Sequence, residues 1–306
     1  MIYRNFGKMG WKVSSVGMGT WNIGNQWGAV SDEEAFSVIR SGFNAGINLF
    51  DTSDSYGIPY GLSEKRLGVA LQGIRNRSYI VSKVGLWGSR TGFKIPMETP
   101  DMVRLCVHAC LYRLRTDWID VMLCHEPNIE EPSVYLEAFE MLKKSGEIRE
   151  YGISTNSLED IKKFNATGKC SVVETDYSVI NKSPENDILP YCQEHGIAVM
   201  LRGPLAQGLL SGKYDENTVF NDNVRKSWNI GGRNRDFYVN SLKKVNALKE
   251  ICSEENVAQT AVRYVISHSC APVAIPGAKT PAQAVSNAET GSALLDSETY
   301  EKIKQL

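Results

Sequence analysis

The chain has 306 residues, with 34 Lys and Arg against 35 Asp and Glu, a formal charge of −1, and 42 % apolar side chains. That makeup belongs to an ordinary globular protein with a sizeable core, and it argues against a dedicated nucleic-acid binder, which would be basic. No run of about 18 apolar residues offers a membrane span, so no membrane partner is expected. The opening Met1-Ile2-Tyr3-Arg4-Asn5-Phe6 lacks the apolar centre of an export signal, and the seven cysteines include no C-x-x-C. Reduced thiols in a cytoplasmic protein are therefore expected. Cys106 and Cys110, four apart on an expected helix, lack the further ligands that a metal centre needs, so no metal is expected.

Residues 2–14 read as a short hairpin turning at 7–10 and plugging one end of the fold. Beyond it, β-branched runs alternate with amphipathic segments of about 10 to 16 residues. Ser15-Val16-Gly17-Met18 precedes an expected helix over 32–45, and Ile47-Asn48-Leu49-Phe50 one over 64–71. Tyr79-Ile80-Val81-Ser82 leads through a loop to a helix over 101–114. Ile119-Asp120-Val121-Met122-Leu123 precedes a helix over 134–144, where Val134, Ala138, Met141 and Leu142 share one face. Tyr151-Gly152-Ile153 precedes a helix over 158–164, N-capped by Ser157 with Asp160 three residues on. Val172-Val173 precedes a helix over 184–195, and Ala198-Val199-Met200-Leu201 follows. The last strand, Val273-Ala274-Ile275, precedes a helix opened by Pro281, a good first-turn residue.

Eight strand–helix units without a linker point to one domain over 1–306, a closed (β/α)₈ barrel. An open sheet that binds dinucleotides would carry G-x-G-x-x-G after its first strand. Here Gly17-Met18-Gly19-Thr20-Trp21-Asn22 lacks the third glycine. Two long loops, 85–100 (with Trp87, Arg90, Phe93 and Lys94) and 203–236, follow the third and seventh strands. Both therefore belong on the C-terminal rim, where barrel active sites lie.

Three strands deliver chemistry to that rim. The second is followed by Asp51-Thr52-Ser53-Asp54-Ser55-Tyr56-Gly57, the third ends in Ser82-Lys83, and the fourth in Leu123-Cys124-His125-Glu126-Pro127. An acid, a phenol, an ammonium and an imidazole together suit proton donation to a carbonyl. A free phenol, with a pKa of about 10, is a poor acid at pH 7. A nearby lysine should lower that pKa, while a carboxylate keeps the lysine charged.

With Ser63-Glu64 and Val81-Ser82-Lys83, these strings resemble the aldo-keto reductase family, from Gly19-Thr20-Trp21 to Ile275-Pro276-Gly277-Ala278. The resemblance implies reduction of an aldehyde or ketone with NADPH, or possible use of NADH, on a (β/α)₈ barrel. Tyr56 would be the general acid, Lys83 would lower its pKa, Asp51 would pair with Lys83, and His125 would orient the carbonyl. The small-molecule carbonyl would meet Trp21 and Trp87, with Trp228 a weaker wall residue.

The cofactor set implied by the same resemblance begins at Thr20, Trp21 and Asp51. Ser154 matches the family's turn for the nicotinamide amide, whereas Thr155 stands where Asn is usual and Glu174 where Gln is usual. Arg202 replaces an aromatic that stacks on nicotinamide, and its planar guanidinium can stack too. Gly203, Pro204, Leu205, Gln207, Gly208, Leu210 and Lys213 resemble the pyrophosphate segment. Ile275, Gly277, Ala278, Lys279, Gln283 and Asn287 resemble the adenosine-phosphate site, with Lys279 facing a 2′-phosphate. Two other readings use the same residues: an NADP(H)-sensing module with little turnover, like channel β-subunits, and a Schiff-base barrel built on Lys83. The tetrad in family order favours the reductase; no oligomeric state is specified.

Overall fold

Strands covered on both faces read as unbroken apolar runs, and Ile119–Cys124 is buried at every position. In the computed structural model, which describes residues 1–88, 92–93, 95–126, 129–252 and 256–306, such strands form one parallel sheet. A two-stranded antiparallel ribbon of β1 (Tyr3–Asn5) and β2 (Lys12–Ser14) comes first. Then follow β3 (Met18–Gly19), β4 (Leu49–Asp51), β5 (Tyr79–Val84), β6 (Ile119–Cys124), β7 (Ile148–Ser154), β8 (Val172–Asp176), β9 (Ala198–Arg202) and β10 (Val273–Ala274). Each of these eight pairs with the next in chain order. The last closes onto the first: Gly17 N donates to Ala274 O at 2.8 Å and Gly19 N to Pro276 O at 3.2 Å. The fold is a (β/α)₈ barrel.

Helices α1 (Asp32–Asn44), α2 (Leu62–Ala70), α3 (Pro100–Leu114), α4 (Ser133–Ser145), α5 (Leu158–Phe164) and α6 (Ile188–Glu194) lie between successive strands. The interval between β9 and β10 holds α7 (Arg235–Ile251) and α8 (Val257–Ile266), and α9 (Pro281–Thr290) and α10 (Ser297–Lys304) end the chain. Local chemistry sets several starts. Ser31 and Glu34 form a reciprocal capping box on α1, and Thr99 and Thr280 cap α3 and α9 ahead of a first-turn proline.

Four local expectations change. The segment 184–195 is a 3₁₀ turn (Ser183–Asn186) followed by α6, because Asp187, at φ −148, leaves the helix to cap the next one. On α4 the covered face is Tyr135, Ala138, Phe139 and Leu142, while Met141 is exposed. Ser157 caps α5 by accepting from Asp160 N, but the return bond of a capping box is absent from that pair's geometry. The first strand is shorter than expected, with Val16 joined to Ala274 only as an isolated bridge.

The hairpin does plug the barrel. Phe6 and Val13 are buried against Leu49, Val81, Val121, Val172, Met200 and Val273, which fill the barrel interior. Lys8 N donates to Gly196 O at 3.2 Å, just before β9 begins, so the ribbon sits at the N-terminal ends of the strands. With that end closed by apolar side chains, the opposite rim is left for polar ones. None of the seven cysteines is in a disulfide; Cys106 and Cys270 are half-buried and the rest are buried. Among the described residues, no helix is long and apolar enough to cross a membrane.

Candidate active site

The chain leaves β4 through Asp51, and Tyr56 turns back toward Lys83 of β5. Lys83 is fully buried and donates to Asp51 Oδ1, to Thr52 O at 3.1 Å and to Tyr56 Oη at 3.4 Å. Those three bonds use all the protons of an ammonium. Glu174 of β8, also fully buried, places Oε2 at 3.2 Å from Lys83 Nζ as a second ion-pair partner. Its Oε1 accepts from Ser154 Oγ at 3.2 Å, while Oε2 has no hydrogen bond.

One cation therefore faces two carboxylates in a dry pocket. Burial and the charge of Glu174 push the Asp51 carboxyl well above the usual range, against the pull of Lys83. The two carboxylates outweigh burial at Lys83 and push its ammonium further up, so it stays charged. Tyr56 corrects an expectation: its phenol is pushed up, not down. Burial is the largest cause, Asp51 and Glu174 add to it, and Lys83 only partly offsets them. The phenol thus keeps its proton at neutral pH, and Lys83 limits the cost of losing it.

The remaining tetrad member arrives from β6. His125 sits edge-on to Tyr56, with ring centroids 6.4 Å apart and planes at 86°, and its Nδ1 lies 3.4 Å from Ser53 Oγ. Trp21 stacks on Tyr56 at 5.9 Å and meets Trp27 edge-on at 4.9 Å, giving an aromatic wall. Trp87 stands apart from that wall: it packs on Tyr60 at 5.5 Å beneath the Arg113 guanidinium. Arg113 in turn is held by the buried Glu64, which also accepts from Ser82 Oγ at 2.7 Å. Arg90, Lys94 and Pro127 lie outside the described residues.

Asp51, Tyr56 and His125 open into a cleft of 1590 Å³ along the C-terminal rim. Ser154 and Thr155 line it at the end of β7, and Arg202 at the end of β9. Arg202 Nη2 donates to Asn156 Oδ1 at 2.8 Å, and that oxygen also accepts from Asp176 N and Thr175 Oγ1, so Asn156 anchors the wall. Farther along come Gly203, Pro204, Leu205, Gln207, Gly208 and Lys213, then Ile275, Gly277, Lys279, Gln283 and Asn287. Thr20, Leu210 and Ala278 are buried behind this surface, as are Lys83 and Glu174. Glu174, expected on the nicotinamide amide, directs its oxygens to Lys83 and Ser154.

Backbone strain marks the loop after β9. Gly203 has φ +67, and a Cβ there would meet Asp176 Oδ1 at 2.4 Å, while Ala206 and Gln207 adopt the left-handed region despite their side chains. At the far end, Lys279 Nζ donates to Trp27 O at 2.6 Å, Gln283 Oε1 accepts from Lys279 N at 2.8 Å, and Asn287 Nδ2 donates to Gly277 O at 3.2 Å. Sequence reading missed Arg225, which binds Asp222 and Tyr214 Oη and lies over Trp27 at 5.4 Å. No motif marks it; only its place in the long loop could have. Trp228 lines the cleft yet is almost fully buried, stacked on Tyr238 at 5.5 Å.

Known proteins resemble this chain over nearly its whole length. Aldo-keto reductase YhdN of Bacillus subtilis (strain 168) is 28 % identical over 316 aligned residues, covering 100 % of this chain and 93 % of its own. The solved glycerol dehydrogenase AKR11B4 from Gluconobacter oxydans superposes with a TM-score of 0.82 at 28 % identity, over 99 % of this chain and 94 % of its own. An aldo/keto reductase from Klebsiella pneumoniae, in complex with NADP and acetate, does so with a TM-score of 0.75 at 26 % identity, over 99 % and 94 %. The model of the aldo/keto reductase family matches residues 15–306, and the chain belongs to that family.

Proposed function

We propose that this protein reduces an aldehyde or ketone to the alcohol with NADPH, Tyr56 acting as the general acid. The observation that carries the reading is the bond from buried Lys83 Nζ to Tyr56 Oη at 3.4 Å, at the floor of the cleft. The residues present fit a dinucleotide: glycine holds a left-handed turn at Gly203 in the loop after β9, and Lys213, Arg225, Arg233 and Lys279 line the cleft beyond it. NADP in the Klebsiella relative supports the same choice. Ser154, Thr155 and Arg202 would hold the nicotinamide end, the 203–213 segment the pyrophosphate, and Lys279, Gln283 and Asn287 the adenosine end. When bound, the nicotinamide supplies hydride to the carbonyl carbon.

The chain's own residues manage the proton and the charge. Tyr56 holds its proton until negative charge develops on the carbonyl oxygen, then donates it. Lys83, kept cationic by Asp51 and Glu174, stabilises the phenolate left behind. His125 orients the oxygen by hydrogen bonding, and Trp21 stacked on Tyr56 excludes water from that side. Titration with NADPH and with NADH, followed by absorbance with a panel of aldehydes and ketones, tests the reading. Turnover with tighter NADPH binding is expected. Tight NADPH binding with no turnover on any carbonyl would sink it.

A further inference from the structure

Behind His125 lies a relay that the reaction as described does not use. Ser53 Oγ stands 3.4 Å from His125 Nδ1, 3.2 Å from Asp54 Oδ1 and 3.0 Å from Ser55 Oγ, and it accepts the Ser55 N–H at 3.2 Å. Ser53, Asp54 and Ser55 are all buried, and Asp54 Oδ2 has no hydrogen-bond partner among the described residues. A hydroxyl has one proton and two lone pairs. The Ser55 amide takes one lone pair, so the direction of the Ser53 proton decides what Ser53 offers to His125 Nδ1.

We propose that Asp54 and Ser53 are positioning residues for carbonyl reduction, selecting which His125 nitrogen carries the ring proton. The inference rests on the reading of His125 as the group that orients the carbonyl. With Asp54 protonated, the Ser53 proton is free to go to His125 Nδ1. His125 Nε2 then keeps its hydrogen and donates it to the substrate oxygen. With Asp54 ionised, the carboxylate draws the Ser53 proton into the stronger, charge-assisted bond. Nδ1 must then donate to Ser53, and Nε2 turns a lone pair toward a carbonyl oxygen that also offers only lone pairs. One proton has left Asp54 for solvent, and one has exchanged between the two ring nitrogens.

The surroundings place this change within reach of ordinary pH. Burial is the main influence on Asp54. Glu64 of α2 adds to it and Arg113 of α3 opposes it, and the carboxyl is pushed up to about 7. Cys106 of α3 and Tyr135 of α4 also feel the Asp54 charge, and both of those groups are pushed up by burial. Around His125 itself, the Tyr56 phenol is pushed far from this range, and Glu126 accepts from Tyr135 Oη at 2.8 Å.

The test is ¹⁵N NMR of the whole protein labelled at its 4 histidines, with His125→Asn identifying the signal. Over about pH 6 to 8.5, the native His125 should pass from the Nε2–H to the Nδ1–H tautomer. Over the same range, kcat/KM for reduction should fall about tenfold, the worth of one lost hydrogen bond to substrate. In Asp54→Asn and in Ser53→Ala, the His125 signals should no longer follow pH, and the change of kcat/KM across this pH range should shrink to about twofold or less. A native His125 tautomer that is constant over this range overturns the proposal, whether or not a carbonyl is reduced. A tautomer change in a protein that reduces no carbonyl overturns it as a device of reduction, together with the function on which it rests. Because the native titration alone decides the first point, a variant that misfolds does not shield the idea.

Discussion

Replacing Tyr56 by Phe separates the chemistry of this site from its architecture. The substitution deletes one oxygen whose hydrogen-bond partner among the described residues is Lys83 Nζ at 3.4 Å, the longest of that lysine's three hydrogen bonds. Lys83 is not stranded by the loss, because Glu174 Oε2 lies 3.2 Å from Nζ and lacks a hydrogen bond in the native protein. The freed N–H can turn to it. Folding stability in Tyr56→Phe should therefore remain within about 1 kcal/mol of native, the net worth of one ordinary hydrogen bond. Reduction should drop by about 10²- to 10⁴-fold, or roughly 3 to 5 kcal/mol in the barrel's transition-state stabilisation, which is what a positioned general acid supplies. NADPH affinity should hardly move, because in the proposed reaction the phenol serves the carbonyl rather than the cofactor. Three measurements check this: NADPH consumption with a responsive aldehyde, NADPH binding by fluorescence, and urea unfolding. A Tyr56→Phe protein that folds, binds NADPH and turns over at the native rate would refute the role of the phenol.

Other perturbations of the same cluster have distinct signatures. Lys83→Met leaves Asp51 and Glu174 facing each other in a dry pocket without their cation, so unfolding should come about 3 to 5 kcal/mol more easily by urea denaturation. A variant as stable as the native chain would show that the carboxylates are not held by Lys83. Glu174→Gln removes one of the charges that push the Tyr56 phenol up. The alkaline limb of reduction should then move to lower pH, and a pH profile identical to native would contradict the placement of that charge. Asp54→Asn should alter how stability depends on pH. In the folded chain the Asp54 carboxyl is pushed from 3.8 to about 7, so the unfolded chain releases this proton first. Native stability should accordingly fall as pH rises from about 4 to about 7 and level off above, by roughly 4 kcal/mol for this group. Thermal melts across that window should show the slope in the native protein and lose much of it in Asp54→Asn.

Much of this molecule was open to reading from the chain because it depends on local pattern. Strand–helix alternation sets the barrel, and a residue at a strand's end in a parallel barrel must face the rim. That is why Asp51, Tyr56, Lys83 and His125 could be gathered without coordinates. The hairpin plug was legible for the same reason, as a short turn at 7–10 within residues 2–14, ahead of the first barrel strand; that Phe6 and Val13 fill the barrel end came from the fold. Helix breaks were harder. Asp187 and the 3₁₀ turn before it carry no strong stop signal, and on α4 the buried stripe is shifted by one residue, bringing Tyr135 and Phe139 inward and leaving Met141 outside.

The charge states were out of reach, since they depend on what lies across the barrel. Read along the chain, Lys83 beside Tyr56 lowers the phenol. Folded, the phenol is buried and a carboxylate from β8, 91 positions after Lys83, joins Asp51 on the same ammonium, so the shift reverses. Trp87, expected beside the carbonyl, packs on Tyr60 beneath Arg113, contacts that no local spacing specifies. The sequence by itself determined the barrel, the rim and the identity of the groups there. Only the tertiary structure decided which of them are dry, which share a proton donor and which are paired. Coulomb energies and desolvation act through space between residues far apart in the chain, whereas periodicity acts only along it.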